Sequence, residues 1–237
     1  MPDSPQPTLQ ITTPAGPVSA VALVLHGGSS RSHRRVRWSS LAHLRMLPFA
    51  RDLSAHYGEA GLAVWVLRYR YRGWNAPELP GVADARWALR EIAREHPGAP
   101  VAIIGHSMGG RVGLRVADEP NVVSICGLAP WIEPGEPYKQ LRDRTVLIAH
   151  GDREHMTDPA MSFQYAVDAR TVTERICRFD VFGSGHAMLR RAADWTALVT
   201  RFVAGSLGLE PEDPEIANAM QKPAPQGLRV PLSGVTQ

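Results

Sequence analysis

Val101-Ala102-Ile103-Ile104-Gly105-His106-Ser107-Met108-Gly109-Gly110 leads an apolar run into a glycine-flanked serine and then into the helix-like stretch Arg111 to Ala117. The order reads as a strand, a sharp turn and a helix, with one serine at the apex. Such a G-x-S-x-G turn needs glycines because the serine takes a strained backbone conformation while strand and helix crowd it from both sides. A side chain at 105 or 109 is expected to collide, and the serine hydroxyl is expected to stand clear of the sheet edge.

Outward from this turn, apolar runs and helical spacings alternate. Leu9 to Thr13 and Val18 to Leu25 read as strands, the second of the kind buried on both faces of a sheet. Leu44 to Tyr57 reads as a helix stopping at Gly58, Leu62 to Tyr69 as a strand, and Val82 to His96 as a helix ending before Pro97. Further strands are expected at Val122 to Leu128, Val146 to His150 and Arg175 to Phe182, with helices at Pro159 to Ala169 and Ala187 to Ala204. Parallel neighbours need crossover connections, so the alternation predicts an α/β fold, a mostly parallel sheet with helices on both faces.

The turn at 105–109, the Gly185-His186 loop after the last expected strand and the His26-Gly27-Gly28-Ser29 turn together resemble the α/β-hydrolase family over roughly residues 8 to 206. The resemblance implies an α/β-hydrolase fold and a serine hydrolase, esterase-like or thioesterase-like, working without cofactor or metal. Ser107 would be the nucleophile and His186 the base that takes its proton. A carboxylate must orient the imidazole, and Val146 to His150 runs into Gly151-Asp152-Arg153-Glu154. Glu154 stands where the family often carries an aspartate; Asp152 is the alternative, and the unusual acid leaves room for a non-catalytic or non-hydrolytic protein of the same fold. Backbone amides of Met108 and of Gly28 or Ser29 would stabilise an oxyanion. Only residues 129–144, with Pro130, Pro134 and Pro137, stand where a lid is commonly inserted, so no cap domain is expected.

With 237 residues the chain suits one domain, and 44% hydrophobic with 21% charged residues is ordinary for a globular protein. Residues 1–7 read as a flexible N-terminus. Residues 207–237, rich in proline after Pro211, read as a disordered tail or an arm lying on the surface or on a partner. No secretory signal is read in the first seventeen residues and no run is long enough to span a bilayer, which points to a cytoplasmic protein. Cys126 and Cys177 read as packed thiols.

The net charge of +3 comes from arginine, the only lysines being Lys139 and Lys222. Arg31, Arg34, Arg35, Arg37 and Arg45 occur with His33 and His43 and no acid among them; Arg68, Arg70 and Arg72 add a second group. Both groups fall at strand ends that border the crevice of an open α/β sheet, so a basic rim suited to anionic substrates is one expectation and a solvated surface the other. The expected partner is a small-molecule ester or thioester. No nucleic-acid motif accompanies the charge, and neither nucleic acid nor membrane is expected to bind. Trp38, Trp74 and Trp131 could wall an acyl pocket or simply pack. His33, His43, His56 and His96 read as solvated, and His106 as fixing the turn.

Overall fold

Five apolar strands, β2 (Ala20–Leu25), β3 (Leu62–Arg68), β4 (Val101–His106), β5 (Val122–Leu128) and β6 (Thr145–Gly151), are buried over nearly their whole length in the computed structural model, which describes residues 5–234. A strand covered on both faces is apolar along most of its length, and the polar Ser124, His106 and His150 are buried with the rest. With β1 (Thr8–Thr12), β7 (Ile176–Val181) and β8 (Val230–Pro231) they form one eight-stranded sheet in the order β1-β3-β2-β4-β5-β6-β7-β8. Only β1 runs antiparallel, on the outer edge of β3.

Alternate side chains of each strand feed two separate cores. Val21, Leu23 and Leu25 face α3 (Pro80–Glu95), α4 (Met108–Arg115) and α5 (Pro159–Ala169). Ala20, Ala22 and Val24 face α2 (Leu47–Tyr57), α6 (Ala192–Ser206) and α7 (Pro214–Gln221). The period-two alternation of strand side chains makes both layers from one run of sequence.

Three expectations need correction. Residues 211–234 are an ordered part of the body. Asp213 caps α7 by accepting from the amides of Glu215 and Ile216 at 3.0 and 3.1 Å, Ile216, Ala219 and Met220 bury one face, and β8 pairs in parallel with β7. The cap and the apolar spacing outweigh the prolines, which lie outside the helix or at its first position. Residues 1–4 and 235–237 lie outside the described residues, and of the expected flexible N-terminus only 5–7 are described. Second, α6 starts at Ala192, because Met188 and Arg191 take left-handed φ values of 54° and 57° that no helix accommodates. Third, His43 is buried, 1% exposed, because the short helix α1 (Leu41–Leu44) turns it against the rings of His26 and Trp38. Cys126 and Cys177 are buried free thiols, as read from the sequence. Among the described residues no helix is long and apolar enough to cross a membrane.

The strand order sets where a ligand crevice can lie. From β2 the chain goes to β3 on one side and then to β4 on the other, so the ends of β2 and β4 flank a topological switch point. His26 follows β2, His106 ends β4 and His150 lies near the end of β6, all buried. Burial lowers the pKa of His26 to about 4, and burial with the nearby charges of His186 or Arg178 lowers those of His106 and His150 to about 3.

These histidines make the fold acid-labile. The unfolded chain takes up protons near pH 6.5 that the folded chain refuses until pH 3 to 4, so stability falls as pH drops through that window, by up to roughly 1.4 kcal/mol per pH unit per histidine. Thermal melts between pH 7 and 4.5 should show a steadily falling Tm; a flat profile would contradict the buried neutral state of these rings.

Candidate active site

Ser107 sits between β4 and α4 with φ 56° and ψ −118°, a backbone state that side chains rarely occupy. Its neighbours force the strain. A Cβ on Gly105 would lie 2.2 Å from the Gly109 carbonyl oxygen, so strand and helix backbones touch at this turn and only glycine fits. The Ser107 amide donates to Leu128 O at 2.9 Å, which anchors the apex to β5. As the residue before the first helical turn, Ser107 leaves the amide of Met108 without an intrahelical acceptor.

The turn after β2 supplies a second free amide. Ser29 N–H is consumed by Arg72 O at 2.9 Å, whereas Gly28 N–H has no backbone acceptor among the described residues. A Cβ at Gly28 would fall 2.3 Å from Arg72 O and 2.5 Å from Met108 Sδ, so this turn and the elbow are packed against each other. His26 holds the turn. Its Nδ1–H donates to Gly27 O at 2.7 Å and its Nε2 accepts from Tyr69 N–H at 3.3 Å, which fixes the tautomer and, through the planar peptide, points Gly28 N–H the opposite way.

His186 lies on the loop between β7 and α6, and the structure joins it to Glu154. Nδ1 of His186 donates to Glu154 Oε2 at 2.7 Å, while Glu154 Oε1 accepts from the amides of His155, Met156 and Thr157 at 2.8, 2.6 and 3.3 Å. Burial pushes the Glu154 pKa up, but the His186 bond and these amides outweigh it and hold it at about 2. Asp152 is not in this contact. It is exposed, and its Oδ1 accepts from Gly183 N–H at 2.6 Å, bracing the loop that carries His186. Arg153 N–H donates to Ser184 O at 3.0 Å, so the acid and base loops are laced together.

His106 links base and elbow. Its Nε2–H donates to His186 O at 2.9 Å and the two rings lie 4.7 Å apart. This places His186 against the residue before the serine, while Ser107 Oγ itself makes no hydrogen bond among the described residues. Such contacts often close only when substrate is bound.

One arrangement escaped the sequence reading. Arg111, buried on α4, lies between the indoles of Trp74 and Trp131, 4.3 and 4.6 Å from their centroids, and its Nε donates to Glu136 Oε2 at 2.6 Å. Arg115 binds the other oxygen of Glu136. Trp131 N–H donates to Ser107 O at 3.1 Å, so this cluster pins the short 129–144 segment beside the elbow. Trp74 and Trp131 therefore pack on a cation, and Trp38 lies over Arg68. No spacing rule finds such a contact, since the arginines lie 20 or more residues from the indoles and the carboxylate they meet.

Beside the base, Leu41, Leu44, Pro48 and Phe49 face Met188 and Leu189 across a groove of about 290 Å³. Leu41 and Leu189 are 79% and 72% exposed. The guanidinium of Arg45 donates to Ala187 O and fixes one wall to the His186 loop. A larger depression of about 740 Å³ between α2 and α6 contains none of these catalytic candidates. Among the described residues, no group of three or more His, Cys, Asp or Glu is placed to hold a metal ion.

Residues 22–236 match the model of the alpha/beta hydrolase family. A 110-residue stretch is 30% identical to mouse monoglyceride lipase, covering 45% of this chain and 32% of that protein, so the chain spans about a third of that relative. Solved structures of similar fold include an alpha-beta serine hydrolase homologue from Coxiella burnetii (TM-score 0.65, 17% identity, 84% of this chain and 92% of that one). Others are Est1E from Butyrivibrio proteoclasticus, with ferulic acid bound (0.63, 12%, 85% and 96%), and the Pyrococcus furiosus esterase Pf2001 (0.62, 14%, 81% and 85%). With a serine elbow at the switch point of a mostly parallel sheet and a family match over nearly its whole length, the chain belongs to the alpha/beta hydrolase family.

Proposed function

We propose that this chain is a serine hydrolase that cleaves a carboxylic ester through an acyl-enzyme. The observation that carries the reading is the 2.7 Å bond from His186 to a carboxylate held ionised, on loops laced to the edge where Ser107 stands. Ser107 Oγ attacks the carbonyl carbon as His186 Nε2 takes its proton, and Glu154 stabilises the imidazolium that forms. The amides of Met108 and Gly28 receive the negative charge that develops on the carbonyl oxygen. Collapse expels the alcohol, which takes the proton from His186. Water activated by the same imidazole then attacks the acyl carbon and frees the acid and Ser107.

The preset environment of Glu154 favours this reading over a purely structural ion pair. Three backbone amides fix one oxygen and leave the other for the imidazole, so orienting the base costs no reorganisation during the reaction. The groove next to His186 supports an acyl or alkyl chain as the occupant, since its walls are apolar and one of them is the base loop itself.

Four outcomes test this. A fluorophosphonate should label the folded wild type but not Ser107→Ala; absence of labelling in folded wild type overturns the hydrolase reading. On p-nitrophenyl acetate Glu154→Ala should lose on the order of ten thousandfold in kcat, while Asp152→Ala keeps most of its activity. His26→Phe should lower kcat with KM nearly unchanged, because it frees the peptide that aims Gly28. Along p-nitrophenyl esters of growing acyl length, kcat/KM should rise roughly fourfold per methylene until the groove is filled, and Leu189→Asp should flatten that rise.

A further inference from the structure

The chain's arginines are not evenly compensated. Arg70 is neutralised by Asp84, and Arg86, Arg111, Arg175 and Arg201 each hold a carboxylate. Arg31, Arg34 and Arg37 are exposed, and among the described residues none of them has a carboxylate partner. Arg72 reaches only the Ser40 hydroxyl, at 3.4 Å. Between Gly27 and Arg51 the sequence has no aspartate or glutamate at all. Carboxylates in and beside the site have other partners: Glu154 is engaged by His186, Glu136 by two arginines, Glu133 by the Trp131 indole and Asp152 by the Gly183 amide.

This uncompensated segment is pinned to the turn that offers Gly28. Ser29 N–H donates to Arg72 O at 2.9 Å, Arg72 N–H to Arg34 O at 3.0 Å, Gly73 N–H to Ser32 O at 2.9 Å and Trp74 N–H to Ser29 O at 2.8 Å. Asn75 closes the weave, its Oδ1 accepting from Ser32 N–H at 2.7 Å and its Nδ2 donating to Ser32 O at 3.1 Å. Arg35 and Tyr71 form a further antiparallel bridge. The result is a ledge of fixed backbone that carries the exposed side chains of Arg31, Arg34 and Arg37 and the half-buried Arg72, directly beyond an amide of the site. Like charges held together repel, and an anion placed among them relieves that repulsion while accepting paired N–H bonds.

We propose that the ledge of Arg31, Arg34, Arg37 and Arg72 binds an anionic group carried by the substrate, a phosphate or a carboxylate, while Ser107 acts on the ester or thioester carbonyl. This rests on the hydrolase reading above and narrows its substrate class. Neutral esters are then poor models of the real substrate. The ledge supplies binding and steering, and takes no part in the bond-breaking steps.

The test uses full-length protein and four-carbon acyl groups: butyryl-coenzyme A for phosphate, p-nitrophenyl hemisuccinate for a carboxylate carried on the acyl group, and p-nitrophenyl butyrate as the neutral reference. For at least one anionic substrate, the ratio of its kcat/KM to that of the neutral ester should fall about tenfold or more in Arg31→Gln/Arg34→Gln/Arg37→Gln, the loss expected for a charge-assisted bond. The same ratio should fall between 20 and 200 mM salt, because exposed charges are screened. Which substrate responds tells phosphate from carboxylate. A second readout does not depend on turnover: calorimetry of Ser107→Ala with free coenzyme A and with succinate should show saturable binding of one of them that the triple variant loses. Ratios unmoved by both the variant and salt, or no saturable binding of either anion, overturn the ledge proposal. Failure of wild-type labelling by fluorophosphonate overturns the hydrolase reading instead, and the calorimetry still decides the ledge.

Discussion

Backbone contact at the end of three neighbouring strands is the constraint on which the site depends. The Gly109 carbonyl lies where a Cβ of Gly105 would be, and the Arg72 carbonyl and Met108 side chain lie where a Cβ of Gly28 would be. Because the elbow, the turn after β2 and the stretch after β3 meet at van der Waals distance, their amides cannot drift apart. A methyl group at either glycine would separate them by more than an ångström. The strained φ of Ser107 is sustained by this packing, with its amide tied to β5 and α4 wedged against the sheet.

Around that contact the site divides its charges cleanly. Glu154 is ionised although buried, because amides and an imidazole replace the water it gives up. His26, His106 and His150 take the opposite route and stay neutral, their ring nitrogens serving as directional hydrogen-bonding groups. Arg111 and Glu136 form a third arrangement, a buried ion pair roofed by indoles. Pairs of this kind define a geometry more than they stabilise a fold, and this one defines where the 129–144 segment lies next to Ser107.

Much of this was legible in the sequence, for identifiable reasons. The central strands are mostly apolar, so their burial followed from composition, and α5 runs from Pro159 to Ala169 as read because proline and an aspartate cap mark its start. The elbow was legible because its glycines are a local steric demand. Choosing between Glu154 and Asp152 was not, since both lie on one loop and only the path of the chain decides which carboxylate meets His186. The burial of His43 was also hidden, as the ring of His26 that it packs against lies seventeen residues away in sequence. The C-terminal residues were misjudged for a different reason: their proline content drew attention from the Asp213 cap and the spacing of Ile216, Ala219 and Met220.

The strand β8 has one more effect, on the order of assembly. It contributes only two residues, yet among the described residues it is the strand that pairs with the outer edge of β7, and Arg178 on β7 also grips Leu228 O just before it. During synthesis the strand bearing the base loop therefore emerges long before its flank is protected. Until residue 231 has left the ribosome, that flank presents open amides and carbonyls to any extended chain nearby. The proline-rich stretch is thus a closing clasp, one that delays the finished sheet until some fifty residues after β7 have been made.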